Sequence, residues 1–186
     1  MTALADLWLP LLLATVFIFI ASSIIHMTPL WHKNDFPPLP NEEAARAAIG
    51  PLNVPPGDYM LPRCKSMKEF GTPEFQAKLK AGPNWIITVM RPGGAGMGKS
   101  LVLWFLFIAV VMLFTAYVAT LALPADAHYM RVFRVVGAAA FMGFVLGGLP
   151  QSIWYQRQWS VTLKHAFDGL IYALIAAGTF GWLWAR

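Results

Sequence analysis

Four long apolar runs constrain this chain more than any other feature of its sequence. They lie at 7–26 and at about 101–123, 135–154 and 161–184. A helix needs about 20 predominantly apolar residues to cross the hydrocarbon core of a bilayer, and each run is long enough. Only 12% of the residues are charged, against about 25% in soluble domains. Aromatic residues make up 14% of the chain, whereas disordered chains contain few of them. The sequence therefore predicts a membrane protein.

The predicted fold class is an all-α integral membrane protein. Four transmembrane helices form an antiparallel bundle, with a small irregular α+β soluble segment between helices 1 and 2. This divides the chain into helix 1 at 1–26, the connecting segment 27–100, and helices 2–4 within 101–186. The first run has no Lys or Arg before it and is longer than the apolar core of a signal peptide. We therefore interpret it as a retained span.

The connecting segment is rich in Pro and Gly but contains short predicted elements. Asn41 followed by two acids predicts an N-capped helix over 41–49, and a second short helix is predicted over 73–81. A strand is predicted over 85–90, with 59–61 as its pairing partner. These elements are too few for an independent core of the usual size.

The distribution of basic residues predicts the orientation. Most of the Lys and Arg residues lie in 27–99 and in the short connection before the fourth span, whereas Arg131, Arg134 and Arg186 fall on the opposite side. Basic loops favour the cytoplasmic side. We therefore expect the 27–100 segment in the cytoplasm and both termini outside, in an arrangement typical of a bacterial inner membrane.

A glycine-rich stretch over 93–100 fits the phosphate-loop pattern G-x-x-x-x-G-K-[ST]. The helix after it is an apolar span, however, and a nucleotide-binding fold needs a parallel sheet of several strands. We interpret the stretch as a flexible linker that ends at an interfacial lysine, Lys99, and expect no bound nucleotide. The basic residues form no compact run, so no nucleic-acid partner is expected either. The lone cysteine, Cys64, excludes an internal disulfide.

Three histidines are predicted to lie on the same side near the membrane boundary: His26, His32 and His165. Imidazole is a common ligand of transition metals, and histidines on facing helices can hold a haem iron. We therefore take these three residues as candidate metal ligands. Their spacing matches no compact ligand motif, so simple interfacial histidines are the alternative.

The fourth span carries a polar cluster near its start, formed by Lys164, His165 and Asp168. Their spacing places them on one helical face. An acid inside a membrane normally faces the bundle interior or a cavity. Asp168 is thus either part of a proton or ion relay or one partner of a structural ion pair, with Lys164, Arg157 or Arg134.

Small residues recur at four-residue intervals on the last two spans, a pattern that permits close helix packing in lipid. We expect the two stripes to face each other across an antiparallel hairpin. Their members are Ala139, Gly143 and Gly147 on the third span, and Gly169, Ala173, Ala177 and Gly181 on the fourth. The sequence Gly148-Leu149-Pro150 predicts a kink near the end of the third span.

Three functional hypotheses follow from these features. The first is a non-catalytic accessory or scaffold subunit of a larger membrane complex, for example one involved in respiration or electron transfer, with membrane lipids and other subunits as partners. The second is a metal- or haem-binding membrane protein that uses His26, His32 and His165. The third is a homo-oligomeric channel or proton carrier centred on Asp168. No arrangement of catalytic residues is visible in the sequence, which argues against an enzyme.

Overall fold

The computed structural model describes residues 3–28, 31–94 and 96–184. Four of its helical segments are long and apolar enough to span a membrane: Leu4–Met27, Met97–Ala122, Tyr129–Tyr155 and Trp159–Leu183. The segments confirm the predicted four-helix class and indicate a membrane location. Arg186, which entered the orientation argument, lies outside the described residues.

The chain divides into two compact units, one formed by Met1–Pro37 with Met97–Arg186 and the other by Pro38–Gly96. The end of the first apolar run predicts a boundary at 26/27 instead. The difference matters because the residues just after the first span belong with the membrane helices rather than with the connecting segment.

The helical unit begins with a 3₁₀ turn, Leu4–Leu7, which leads into helix α1, Trp8–Met27. The other unit contains α2 (Glu42–Ile49), a 3₁₀ turn (Gly50–Leu52), β1 (Gly57–Leu61), α3 (Met67–Phe70), α4 (Pro73–Ala81) and β2 (Trp85–Val89). The side chain of Asn41 accepts a hydrogen bond from the Ala44 amide and caps α2, as its sequence position predicts. The two strands pair antiparallel, with Tyr59 opposite Ile87.

The remaining spans are α5 (Met97–Ala122), α6 (Tyr129–Val145) with α7 (Leu149–Tyr155), and α8 (Trp159–Leu183). A 3₁₀ turn, Leu146–Gly148, interrupts the third span between α6 and α7. Pro150 then occupies the first turn of α7, where the missing amide hydrogen breaks no helical hydrogen bond. The interruption lies where the glycine–proline sequence predicts a kink.

The four spans pack in a ring. Helix α1 contacts α5 and α8, and α6 contacts the same two neighbours from the opposite side. The centre is filled by fully buried apolar side chains, among them Ile18, Ile108, Met112, Val136 and Phe180. This arrangement brings the end of α1 next to the start of α8.

The small residues of α8 provide close contacts with α6. A Cβ added at Gly169 would lie 2.5 Å from Cγ2 of Val145, and one at Gly181 would lie 2.7 Å from the ring of Tyr129. On the third span, Gly143 also makes a close helix contact, but its partner is not the expected stripe of α8. Gly143 faces α5, where an added Cβ would lie 2.8 Å from Cγ1 of Val111. Among the residues that the structure describes, none lies within 4 Å of a Cβ at Gly147.

Candidate metal centre

Four ionisable side chains converge where α1 ends and α8 begins. His26 belongs to the last turn of α1, His32 follows that helix, and His165 and Asp168 lie in the first turns of α8. One potential ligand atom from each residue lies within 4.8 Å of the other three. The structure thus brings together the three predicted histidines and adds the carboxylate of Asp168.

Trp31 fixes the chain after α1 against α8. Its indole N–H donates a hydrogen bond to Oδ1 of Asp168 at 3.1 Å. Its ring also meets that of Phe167 edge-on, with centroids 5.7 Å apart. These two contacts hold the following residue, His32, over the start of α8.

His32 lies between two carboxylates. Its Nδ1 is 2.7 Å from Oδ2 of Asp35, and its Nε2 is 2.9 Å from Oδ2 of Asp168. An aspartate that accepts the Nδ1–H of a histidine fixes the ring orientation and leaves Nε2 as the basic nitrogen. This is the usual arrangement behind a metal-binding histidine.

Asp35 is itself held in place by a lysine. Nζ of Lys164 donates a hydrogen bond to Oδ1 of Asp35 at 2.7 Å. Burial of the Asp35 carboxyl acts to raise its pKa, but the hydrogen bonds from Lys164 and His32 and their positive charges lower it more, so the net shift is downward. Asp35 is therefore an anion that supports His32. The four-residue spacing within α8 predicts a pair between Lys164 and Asp168. In the structure Lys164 pairs with Asp35 instead.

The ring of His26 is also held by a contact at its Nδ1 atom. Its Nδ1 lies 3.0 Å from the backbone carbonyl oxygen of Ser22. Because a carbonyl oxygen only accepts, Nδ1 carries the hydrogen and Nε2 is the free nitrogen. The ring stacks on that of His32, with centroids 4.5 Å apart and planes 9° from parallel.

His165 is oriented differently. Its Nε2 lies 3.2 Å from Nη2 of Arg157. A guanidinium only donates, so Nε2 accepts, and in the neutral ring Nδ1 carries the hydrogen. That nitrogen is the one facing Oδ2 of Asp168, at 3.8 Å. His165 therefore needs to be released by Arg157 before Nδ1 or Nε2 could serve as a ligand.

His32 and Asp168 form the closest pair of the cluster. Nε2 of His32 and Oδ2 of Asp168 are both buried, and neither has a hydrogen-bond partner in the part of the chain that the structure describes, although they are only 2.9 Å apart. When His32 is neutral and its Nδ1 donates to Asp35, both atoms present lone pairs to each other; when the ring is protonated, Nε2–H and the carboxylate form an ion pair. Either a proton on Nε2 of His32 or a bound cation satisfies both atoms.

The spacing of the candidate ligand atoms suits a small ion. Zinc binds histidine nitrogen and carboxylate oxygen at about 2.0–2.2 Å, so the corners of its tetrahedron are roughly 3.3 Å apart. The distance of 2.9 Å from Nε2 of His32 to Oδ2 of Asp168 is somewhat shorter than that value, and the candidate ligand atoms of the four residues all lie within 4.8 Å of one another.

A cavity of about 540 Å³ adjoins the cluster inside the helical unit. His26, His165 and Asp168 form part of its wall, and apolar side chains of α5 and α6 form much of the rest. His26 is exposed, whereas Asp168 is buried. An ion would thus have a route to the buried carboxylate past the ring of His26.

Sequence reasoning missed Trp31 and Asp35. Asp35 follows His32 by three residues, a spacing that allows the observed pair, but several carboxylates of the same segment offered equally plausible partners. The fold-back of the chain onto α8 leaves no periodic signal in the sequence.

The chain matches no protein-family model, no curated protein and no solved structure. The functional argument therefore rests on the geometry of the site.

Proposed function

We propose that this membrane protein binds a divalent transition-metal ion of the zinc and copper class at the end of its helix bundle. The ligands are Nε2 of His26, Nε2 of His32 and Oδ2 of Asp168. The observation that carries the proposal is the convergence of His26, His32, His165 and Asp168, whose candidate ligand atoms all lie within 4.8 Å of one another. A bound cation stabilises these atoms together.

The supporting residues are those that a metal site requires. Asp35 and the Ser22 carbonyl oxygen hold the two imidazoles through their Nδ1 atoms, and Trp31 binds the second oxygen of Asp168. Such outer contacts fix the tautomer and direction of each ligand. Three protein ligands leave a fourth position for His165 or for a small molecule.

The stacked rings of His26 and His32 favour an ion over a haem. Two axial histidines bind a haem iron from opposite faces of the macrocycle. Here the two rings are nearly parallel with centroids 4.5 Å apart, and a macrocycle does not fit between them.

The test is a zinc titration of the purified protein in detergent, followed calorimetrically. Wild type is expected to bind one Zn²⁺ per chain, and His32→Ala to lose that binding. The matched control is His128→Ala, because His128 is an exposed histidine at the N-terminus of α6, the opposite end of the bundle. Equal zinc binding by wild type and His32→Ala would contradict the proposal.

The other two hypotheses stay predictions. An accessory-subunit role predicts further polypeptides at fixed stoichiometry in native mass spectrometry of the gently extracted protein. A channel or proton carrier centred on Asp168 predicts a liposome flux that Asp168→Asn abolishes.

A further inference from the structure

Tyr172 is a buried polar residue that the metal site does not use. Only 3% of its surface is exposed. Its hydroxyl group is buried without a hydrogen-bond partner among the residues that the structure describes. Tyr172 lies on α8 one turn beyond Asp168, and it lines the cavity beside the metal centre.

The cavity wall around Tyr172 is aromatic. Phe144 meets its ring edge-on with centroids 5.5 Å apart, and Trp104 does so at 6.3 Å. Phe107 extends this wall and is stacked against Trp104. Such side chains pack favourably against a planar ring, and the cavity volume of about 540 Å³ is in the range that holds small organic ligands.

The cavity also reaches the outer surface of the helical unit. Leu101 and Phe107 line it and are exposed on α5. A ligand dissolved in the bilayer could therefore enter from the side, with its apolar part between the helices and its polar end towards Tyr172.

We propose that this cavity binds a quinone-type ligand, meaning an oxygen-substituted planar ring on an apolar tail. A ring oxygen accepts a hydrogen bond from the Tyr172 hydroxyl group, and the ring packs against Trp104, Phe107 and Phe144. A neutral head group suits this end of the cavity because the buried carboxylate of Asp168 repels an anionic one. The inference does not depend on the metal, since Tyr172 is not one of its ligands.

The probe is a benzoquinone that carries a decyl tail, titrated calorimetrically into the protein in lipid nanodiscs with chelator present. Empty nanodiscs supply the heat of partition into lipid. Wild type is expected to bind one probe molecule per chain. Tyr172→Phe removes a single hydrogen bond, so we expect binding to weaken roughly three- to tenfold.

Two further variants separate the cavity from the lipid surface. Ala166 lines the cavity, and Ala166→Phe should abolish binding by filling it. Leu174 is exposed on the same helix, and Leu174→Phe should leave binding unchanged. Melting curves of all variants establish that each remains folded.

Heat from wild type no larger than that from empty nanodiscs would overturn the inference, as would equal binding by Ala166→Phe. Equal affinity of wild type and Tyr172→Phe would overturn the assigned hydrogen bond. Displacement of the probe by decanol at equal concentration would show that the tail alone binds, and would also overturn it. Because the chelator removes metal from every titration, these results do not depend on the outcome for zinc.

Discussion

At the scale of single residues, the site is defined by which nitrogen of each histidine is free. His26 and His32 both use Nδ1 for a supporting contact, with the Ser22 carbonyl oxygen and with Asp35. His165 instead receives a hydrogen bond from Arg157 at Nε2. The three histidines that look equivalent in the sequence therefore have different capacities as ligands.

This difference predicts unequal effects of alanine substitution on zinc affinity. Loss of a supporting contact usually weakens metal binding about 10–100-fold, so His26→Ala, which removes a ligand, should weaken it by at least roughly 100-fold. His165→Ala should weaken it by no more than about threefold while Arg157 holds the ring. Competition with a chromophoric chelator measures both. If His165→Ala proved as damaging as His26→Ala, the assignment of ligands would be wrong.

Part of this residue-level account could be predicted from the sequence. Hydropathy places the three histidines and Asp168 near the same membrane boundary, and helical spacing places His165 and Asp168 on one face. The partners of His32 and Lys164 could not be predicted, because they depend on how the irregular chain around Trp31 and Asp35 folds back onto α8.

At the scale of elements, a long run of apolar residues predicts that a span exists. It predicts the first and last residues of the helix less well. Helix α5 begins at Met97 and not at 101, and α6 begins at Tyr129 and not at 135. The added turns contain Lys99 and Arg131, which lower the hydropathy without interrupting the helix. Apolar residues are expected where a helix is in contact with hydrocarbon. The hydrogen bonds of the helix can continue beyond that region, where polar side chains are tolerated.

The contact between α6 and α8 at Gly169 predicts a stability change. A Cβ at this position would lie 2.5 Å from Cγ2 of Val145, a stiff β-branched side chain that is 6% exposed. We expect Gly169→Ala to destabilise the protein by about 1–3 kcal/mol through overpacking. Thermal melting in detergent, followed by circular dichroism, measures the effect.

Gly178 provides the matched control, because it lies on the same helix and no described residue comes within 4 Å of an added Cβ. Gly178→Ala should leave the melting temperature unchanged or raise it slightly, since alanine favours the helix. A loss of stability equal to that of Gly169→Ala would show that the tight contact is not the cause.

At the scale of the whole molecule, the orientation in the membrane stays a prediction. Four candidate spans predict that both ends of the bundle sequence lie on one side. The distribution of basic residues predicts that this side is the outside. The small-residue stripe of α8 was predictable from spacing alone, but its partners were not. Gly143 packs on α5 because the ring arrangement gives α6 two neighbours rather than one.

Cys64, the single cysteine of the chain, permits a direct test of the orientation. A membrane-impermeant maleimide should leave Cys64 unlabelled in intact cells and label it after permeabilisation. In a Cys64→Ser background, Asp126→Cys on the α5–α6 loop should be labelled in intact cells. The reverse pattern would mean that the connecting segment lies outside.

The most direct test of the metal centre is X-ray absorption spectroscopy at the zinc edge of the zinc-loaded protein. The geometry predicts nitrogen and oxygen ligands at about 2.0–2.1 Å, with the outer-shell scattering of at least two imidazoles that His26 and His32 would supply. Zinc–sulfur scattering at about 2.3 Å, or a shell of light atoms without imidazole scattering, would contradict the proposed site.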